Sequence, residues 1–325
     1  FDVSPKPIDP LPIPTFQLSD DPVIRYEYRR GYRKDQPGYG SGHYGFETNS
    51  EGFRDREWTV AKPPGTRRVI VLGDSITAGS KVSDVDDVYP RVLERLLDAS
   101  DPNFDWEVMN MGVGGYHTLQ EVETLRVRGL RYSPDYVLVG FAINDFNPNA
   151  DGMVYQMLLF SNPDIDPEQI DRSLLGRILE KTRLGYVVYH RLSLLFGPDR
   201  SGASYADRFL NGRSTVEVGL ELLSKLQREF GFESLIFVVP GLDRSFDEYR
   251  HQAVHDRLAQ TLRSFPDLQS IDLLPDLAQR EPHARLLATD GFHPNPRGHA
   301  MIAELLQREI RKRWMDESNP GNVEP

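Results

Sequence analysis

The run Val69-Ile70-Val71-Leu72 is apolar and largely β-branched, with no polar residue to mark a solvent face, and it stops abruptly at Gly73-Asp74-Ser75. A strand patterned this way is covered on both faces, as in a parallel sheet held between two helical layers. Val137–Phe141 has the same character. Helical spacing fills the intervals: Tyr89, Val92, Leu93, Leu96 and Leu97 recur on one face, and Thr118-Leu119-Gln120-Glu121 reads as a capping box opening a helix to about Leu130. Ser214-x-x-Glu217 opens another helix, with Val218, Leu222, Leu223 and Leu226 on one face and Gly231 as its stop. Further strands are expected at Glu107–Asn110, Leu235–Pro240 and Ser270–Leu274. Ser245-x-x-Glu248 is expected to cap a helix carrying Val254, Leu258 and Leu262. Asn295-Pro296 opens the last helix, whose Met301, Ile302, Leu305, Leu306 and Ile310 face the core. The predicted class is α/β, a three-layer α/β/α sandwich around a parallel sheet of about five strands.

With 325 residues, 39% of them hydrophobic, the chain is long enough for a sizeable core. It has no cysteine, which removes disulfides, thiol nucleophiles and thiolate metal sites. A net charge of -11 argues against nucleic acid as a partner. No apolar run approaches the ~20 residues that cross a bilayer.

Chemistry-bearing residues fall where the strands end. Gly73 permits a sharp bend after the first strand, and the turn holds out Ser75, a candidate nucleophile; a serine there can equally cap the following helix. A hydroxyl needs a base, and an imidazole steadied by a carboxylate supplies one. Asp290 and His293, three residues apart in Asp290-Gly291-Phe292-His293, can meet in one tight turn, although the same pair also fits two satisfied loop residues or half a metal site. Met111-Gly112-Val113-Gly114-Gly115 is a glycine-rich loop after a short strand, and Asn144-Asp145 closes the strand ending at Phe141. A bare backbone N–H and an asparagine amide are the donors that a developing oxyanion needs. In a parallel sheet all these residues would lie at the carboxyl edge, where open α/β sheets bind ligands. No third ligand stands near Asp145 and Asp290 at metal spacing, and no motif calls for a cofactor.

Gly73-Asp74-Ser75, Gly115, Asn144 and Asp290-x-x-His293, in this order, resemble the SGNH hydrolases, the GDSL-type esterases and lipases. The resemblance covers roughly residues 66–315 and implies a flavodoxin-like SGNH fold. It implies Ser75 as nucleophile and backbone oxyanion donor, Gly115 as backbone donor, Asn144 as side-chain donor, His293 as base and Asp290 as its orienter. Gly112 and Gly114 are neighbours able to take the register of Gly115. Ile76 stands where the family's nickname has leucine, a packing position. The implied activity is hydrolysis of carboxylic esters of small molecules, glycans or lipids through an acyl-enzyme. The same site would serve an O-acyltransferase that hands the acyl group to a sugar or other alcohol, and the fold without chemistry would be a binding domain.

Residues 1–65 are rich in proline, glycine, charge and tyrosine, and are expected to dock on the domain as an extension. Two readings fit the first fifteen residues. One is a spacer after a removed anchor or signal, which would place the protein outside the cytoplasm as periplasmic, secreted or membrane-tethered; the other is a plain disordered terminus. Asn49-x-x-Gly52-Phe53-Arg54 resembles a signature that precedes the Gly-Asp-Ser block in a bacterial branch of the family, with Phe53 expected to be buried. His117 is expected at a helix start, His299 as structural or exposed, and the basic run Arg29–Lys34 as a solvated face. Residues 316–325 read as a loose tail. Residues 146–213 interrupt the strand–helix rhythm and are expected to be helical, either as a lid over the pocket or as a plain excursion. Deleting 150–205 from a variant that still folds is expected to change acyl or alcohol preference in an ester panel; unchanged preference would remove the lid.

Overall fold

In the computed structural model, which describes residues 15–33, 46–146 and 213–315, the chain begins with an antiparallel pair, β1 (Phe16–Leu18) and β2 (Tyr26–Tyr28). It then alternates β3 (Thr66–Gly73), α1 (Tyr89–Ser100), β4 (Asp105–Asn110), α2 (Thr118–Thr124) and β5 (Tyr136–Phe141). After 147–212 come α3 (Thr215–Phe230), β6 (Glu233–Val238), α4 (Gln252–Leu262), β7 (Gln269–Asp272), α5 (Leu274–Arg280) and α6 (Pro296–Ile310). The expected insertion and the C-terminal tail lie outside the described residues.

Strands β3 to β7 form one parallel sheet in the order β4-β3-β5-β6-β7. Numbered within the sheet this is 2-1-3-4-5, the flavodoxin-like winding, so the fold is α/β as its apolar strands imply. Winding reverses between β3 and β5, and sheets of this order bind ligands beyond the carboxyl ends of the strands at such a switch point. Successive residues of each strand feed opposite layers. Ile70, Leu72, Val137 and Val139 pack with Val122 of α2 and Leu220 and Leu223 of α3, whereas Val69, Val71 and Leu138 pack with Leu93 and Leu97 of α1 and Ile302, Leu305 and Leu306 of α6. Each such aliphatic side chain contributes roughly 1.5–3 kcal/mol.

Ser214 and Glu217 form the expected capping box, and Gly231 ends α3 with a φ of +75°. Two helix starts differ from expectation. The N-cap of α2 is His117, whose Nδ1 accepts from Gln120 N while the Gln120 side chain answers to His117 N; Thr118 instead donates to Asp145 Oδ2 at 2.8 Å. The α-helix closes at Thr124 and continues as a π turn, Leu125–Gly129, and a 3-10 turn, Leu130–Tyr132. Ser245 does not cap α4: a separate 3-10 turn, Phe246–Glu248, intervenes, and Ser245 Oγ donates to Pro282 O at 3.1 Å.

The N-terminal segment packs into the same core, with Ile24, Tyr26, Tyr28, Phe46 and Phe53 all buried against the α2–α3 layer. Arg68 of β3 holds its far end. Its fully buried guanidinium spends five N–H groups on Glu107 Oε2 (2.6 Å), Val60 O (2.8 Å), Tyr132 O (2.7 Å), Thr59 O (2.9 Å) and Ala61 O (3.2 Å). Burying a charge costs several kcal/mol, and complete pairing offsets that cost. Arg68→Met would leave the carbonyls and Glu107 without their donors, and is expected to lower unfolding free energy by about 3–5 kcal/mol in urea titration.

Candidate active site

β3 delivers Ser75 through a turn that only glycine can begin: a Cβ on Gly73 would lie 1.9 Å from Thr77 Oγ1. Asp74 Oδ1 accepts from Ile76 N (2.8 Å), and Ala78 N and Ser80 N donate to Asp74 O and Ser75 O (3.0 and 2.9 Å), so the chain coils tightly around the serine. Ile76, at the packing position, is buried. The loop is then fastened from outside. Arg54 donates to the carbonyls of Gly79 and Val82, both at 2.6 Å, and more distantly to Ala78 and Ser83.

This explains the spacing of Asn49-x-x-Gly52-Phe53-Arg54. Asn49 Oδ1 accepts from Phe53 N (2.9 Å) and closes the turn, Gly52 supplies a φ of +82°, and Phe53 is buried, which leaves Arg54 aimed at the Ser75 loop. The sequence marks Phe53 for burial, whereas no periodic pattern signals that Arg54 reaches the Ser75 loop.

The loop after β4 continues the ladder beside the serine, with Met111 N and Val113 N donating to Val71 O and Gly73 O. Its glycines have different hydrogen-bond states. Gly112 N donates to Asn110 Oδ1 (3.0 Å) and Gly114 N to Tyr28 Oη (2.9 Å), whereas Gly115 N has no partner among the described residues. Gly115 is thus the one of the three whose N–H is left for a ligand.

After β5, Asn144 donates through Nδ2 to Asp74 Oδ2 at 3.4 Å, and its buried Oδ1 has no partner among the described residues. Beside it Asp145 is fully buried and tied to Thr118 Oγ1 and Ala142 N.

The last turn brings in the imidazole. Gly291, at a φ of +83°, lets the chain fold back so that Phe292 N and His293 N both donate to Asp290 Oδ1 (3.1 and 2.9 Å). The other carboxylate oxygen lies 2.8 Å from His293 Nδ1, and His293 Nε2 lies 3.0 Å from Ser75 Oγ. Asn295 caps α6 through Gly298 N (3.0 Å), anchoring the turn to a core helix. The structure therefore gathers Ser75, Asp290, His293, Asn144 and the glycine loop at one rim.

Environment divides the carboxyls. Partial burial raises Asp290, but the His293 amide, its imidazole and the Phe292 amide outweigh that and hold it below the ordinary aspartate range. Burial raises Asp74, against the opposing pull of the Ile76 amide, His293 and Asn144. Behind them burial pushes Asp145 and Glu121 well up, helped by repulsion from Asp74 on both and from Asp145 on Glu121, and neither Glu121 oxygen has a hydrogen-bond partner among the described residues. His117 and His299 are buried and driven down to about 3, so both are neutral structural rings; His299 Nδ1 accepts from Tyr89 N. No group of three or more His, Asp or Glu among the described residues is disposed to hold a metal.

The sequence matches the family of GDSL-like lipases and acylhydrolases over residues 71–301, and the chain belongs to that family. No curated protein matches it. Among solved structures it is similar to a two-domain esterase (CEX) active on acetylated mannans, at 16% identity and a TM-score of 0.45; the match covers 80% of this chain and 53% of that one, so the chain spans about half its length. It is also similar to the lipase/acylhydrolase from Enterococcus faecalis (19% identity, 76% and 96% covered, TM-score 0.44) and to the acetylxylan esterase Axe2 from Geobacillus stearothermophilus (16% identity, 77% and 97% covered, TM-score 0.48).

Because the folded-state value of Glu121 is raised, the unfolded chain releases that proton first as pH climbs past the ordinary 4.5, and the folded state loses stability from there up to its own higher value. Glu121→Gln does not titrate. Its stability relative to wild type is expected to improve as pH rises above the ordinary glutamate value, as read from urea midpoints at successive pH values; a constant difference would refute the buried-proton assignment.

Proposed function

We propose that the protein is a serine esterase that works through an acyl-enzyme on Ser75. His293 Nε2 takes the hydroxyl proton as Ser75 Oγ attacks the ester carbonyl, and Asp290 holds the tautomer and steadies the imidazolium. The tetrahedral oxyanion is met by the N–H groups of Ser75 and Gly115 and by the Asn144 amide. Collapse expels the alcohol, which takes its proton from His293. Water, deprotonated by the same imidazole, then attacks the acyl-enzyme and releases the carboxylic acid, returning Ser75 to its starting state. The observation that carries this reading is the unbroken chain of contacts from Ser75 Oγ through His293 to Asp290, 3.0 and 2.8 Å long.

The direct test is labelling by a fluorophosphonate probe, followed by turnover of short-chain acyl esters and acetylated sugars. Ser75→Ala and His293→Ala are expected to abolish both with folding intact, and Asn144→Ala to lower kcat by about 10²–10³. Asp290→Ala is expected to be milder than the serine change. Full turnover by Asn144→Ala would contradict the oxyanion assignment, and labelling of the Ser75→Ala variant would contradict the nucleophile.

A further inference from the structure

We infer that Tyr26, on a strand outside the family-matched segment, is a positioning residue that aims the Gly115 N–H into the oxyanion site. The inference rests on the reading of Gly115 as a donor and adds what fixes its direction. Val113, Gly114, Gly115 and Tyr116 form a tight turn closed by Tyr116 N donating to Val113 O at 3.2 Å. Of its two central residues only Gly115 has a positive φ, +82°, the pattern of a type II turn. Types I and II differ by about a half-rotation of the peptide joining those residues, and the closing hydrogen bond is common to both. That peptide is made of the Gly114 carbonyl and the Gly115 N–H. With glycine on either side, side-chain sterics do not choose between the two orientations.

An external hydrogen bond does. The Tyr26 hydroxyl donates to Gly114 O at 3.0 Å, and because the peptide is trans, holding its carbonyl on the Tyr26 side turns the Gly115 N–H to the opposite side. The preceding peptide is held as well, since Gly114 N donates to Tyr28 Oη at 2.9 Å. Ser75 stands beside this turn: a Cβ on Gly114 would lie 3.0 Å from Tyr28 Oη and 3.7 Å from Ser75 Cβ. Tyr26 is itself fully buried, packs edge-on against Phe16 and Tyr116, and receives at its own carbonyl a hydrogen bond from the Tyr116 hydroxyl. A hydrogen bond to the carbonyl also polarises the peptide and strengthens its N–H as a donor. Without the Tyr26 hydroxyl the peptide is free to flip, which would present a carbonyl oxygen where the oxyanion needs a proton.

Tyr26→Phe removes that hydroxyl and keeps the ring. It is expected to lower kcat by about 10-fold or more, short of the 10²–10³ for losing a donor outright, with KM within about twofold of wild type and with slower fluorophosphonate labelling. Tyr132→Phe, which removes a buried tyrosine hydroxyl that accepts from Arg131, is expected to leave kcat unchanged and so controls for general loosening. Wild-type kcat in a folded Tyr26→Phe, while Ser75→Ala is inactive, would overturn the inference and leave the esterase reading intact; an active Ser75→Ala would instead overturn the esterase reading. If Tyr26→Phe does not fold, the unaltered protein decides: phosphonylation of Ser75 is expected to move the Gly115 amide proton downfield far more than that of Gly114, and the reverse order would overturn the inference.

Discussion

The hydrogen bond between Ser75 Oγ and His293 Nε2 joins residues 218 positions apart, and the interpretation of every other group at the rim depends on it. A bond of this kind adds only about 1 kcal/mol to stability, so it is a product of the fold and not its support. The support is the core. β3 is buried on both faces and ends in a turn that Gly73 alone permits, and α6 buries Ile302, Leu305 and Leu306 against α1 and the sheet. Two rigid elements thus fix the serine and the imidazole from opposite ends of the chain.

Charge at the rim follows from solvent access more than from residue type. Four carboxyls, Asp74, Glu121, Asp145 and Asp290, lie on or behind the site, and all four would favour an imidazolium if all were ionised. Burial raises three of them, Asp74, Asp145 and Glu121, while Asp290, more exposed and held by two amides, is shifted the other way. The carboxylate in contact with the imidazole is thus the one whose position a tight turn dictates. The buried carboxyls serve instead as anchors, with Asp145 linking the turn after β5 to Thr118 at the start of α2.

Much of this was legible in the sequence because it depends on local pattern. Unbroken apolar runs mark doubly covered strands, Ser214 and Glu217 mark a helix start, and Asp290-x-x-His293 fits one turn. The misreadings arose where partners distant in sequence decide. Thr118 has the composition of a cap, yet Asp145 claims its hydroxyl and His117 takes the N-cap. Ser245 likewise looked like a cap, but Pro282 O accepts its hydroxyl and a 3-10 turn separates it from α4. The fastening of the Ser75 loop by Arg54, of the Gly114–Gly115 peptide by Tyr26 and of the peptide before it by Tyr28 joins positions 24 to 88 residues apart with no periodic signal. Only the spacing of Asn49, Gly52, Phe53 and Arg54 hinted at it.

The central claim is that Ser75 carries the acyl group between its two owners. Rapid-quench mixing with an activated acyl ester, followed by peptide mapping in the mass spectrometer, tests it directly. The account predicts a transient acyl adduct on the peptide holding Ser75, formed and lost at rates consistent with turnover. Steady turnover with the acyl group found on another residue, or on none while product accumulates in a burst, would contradict it.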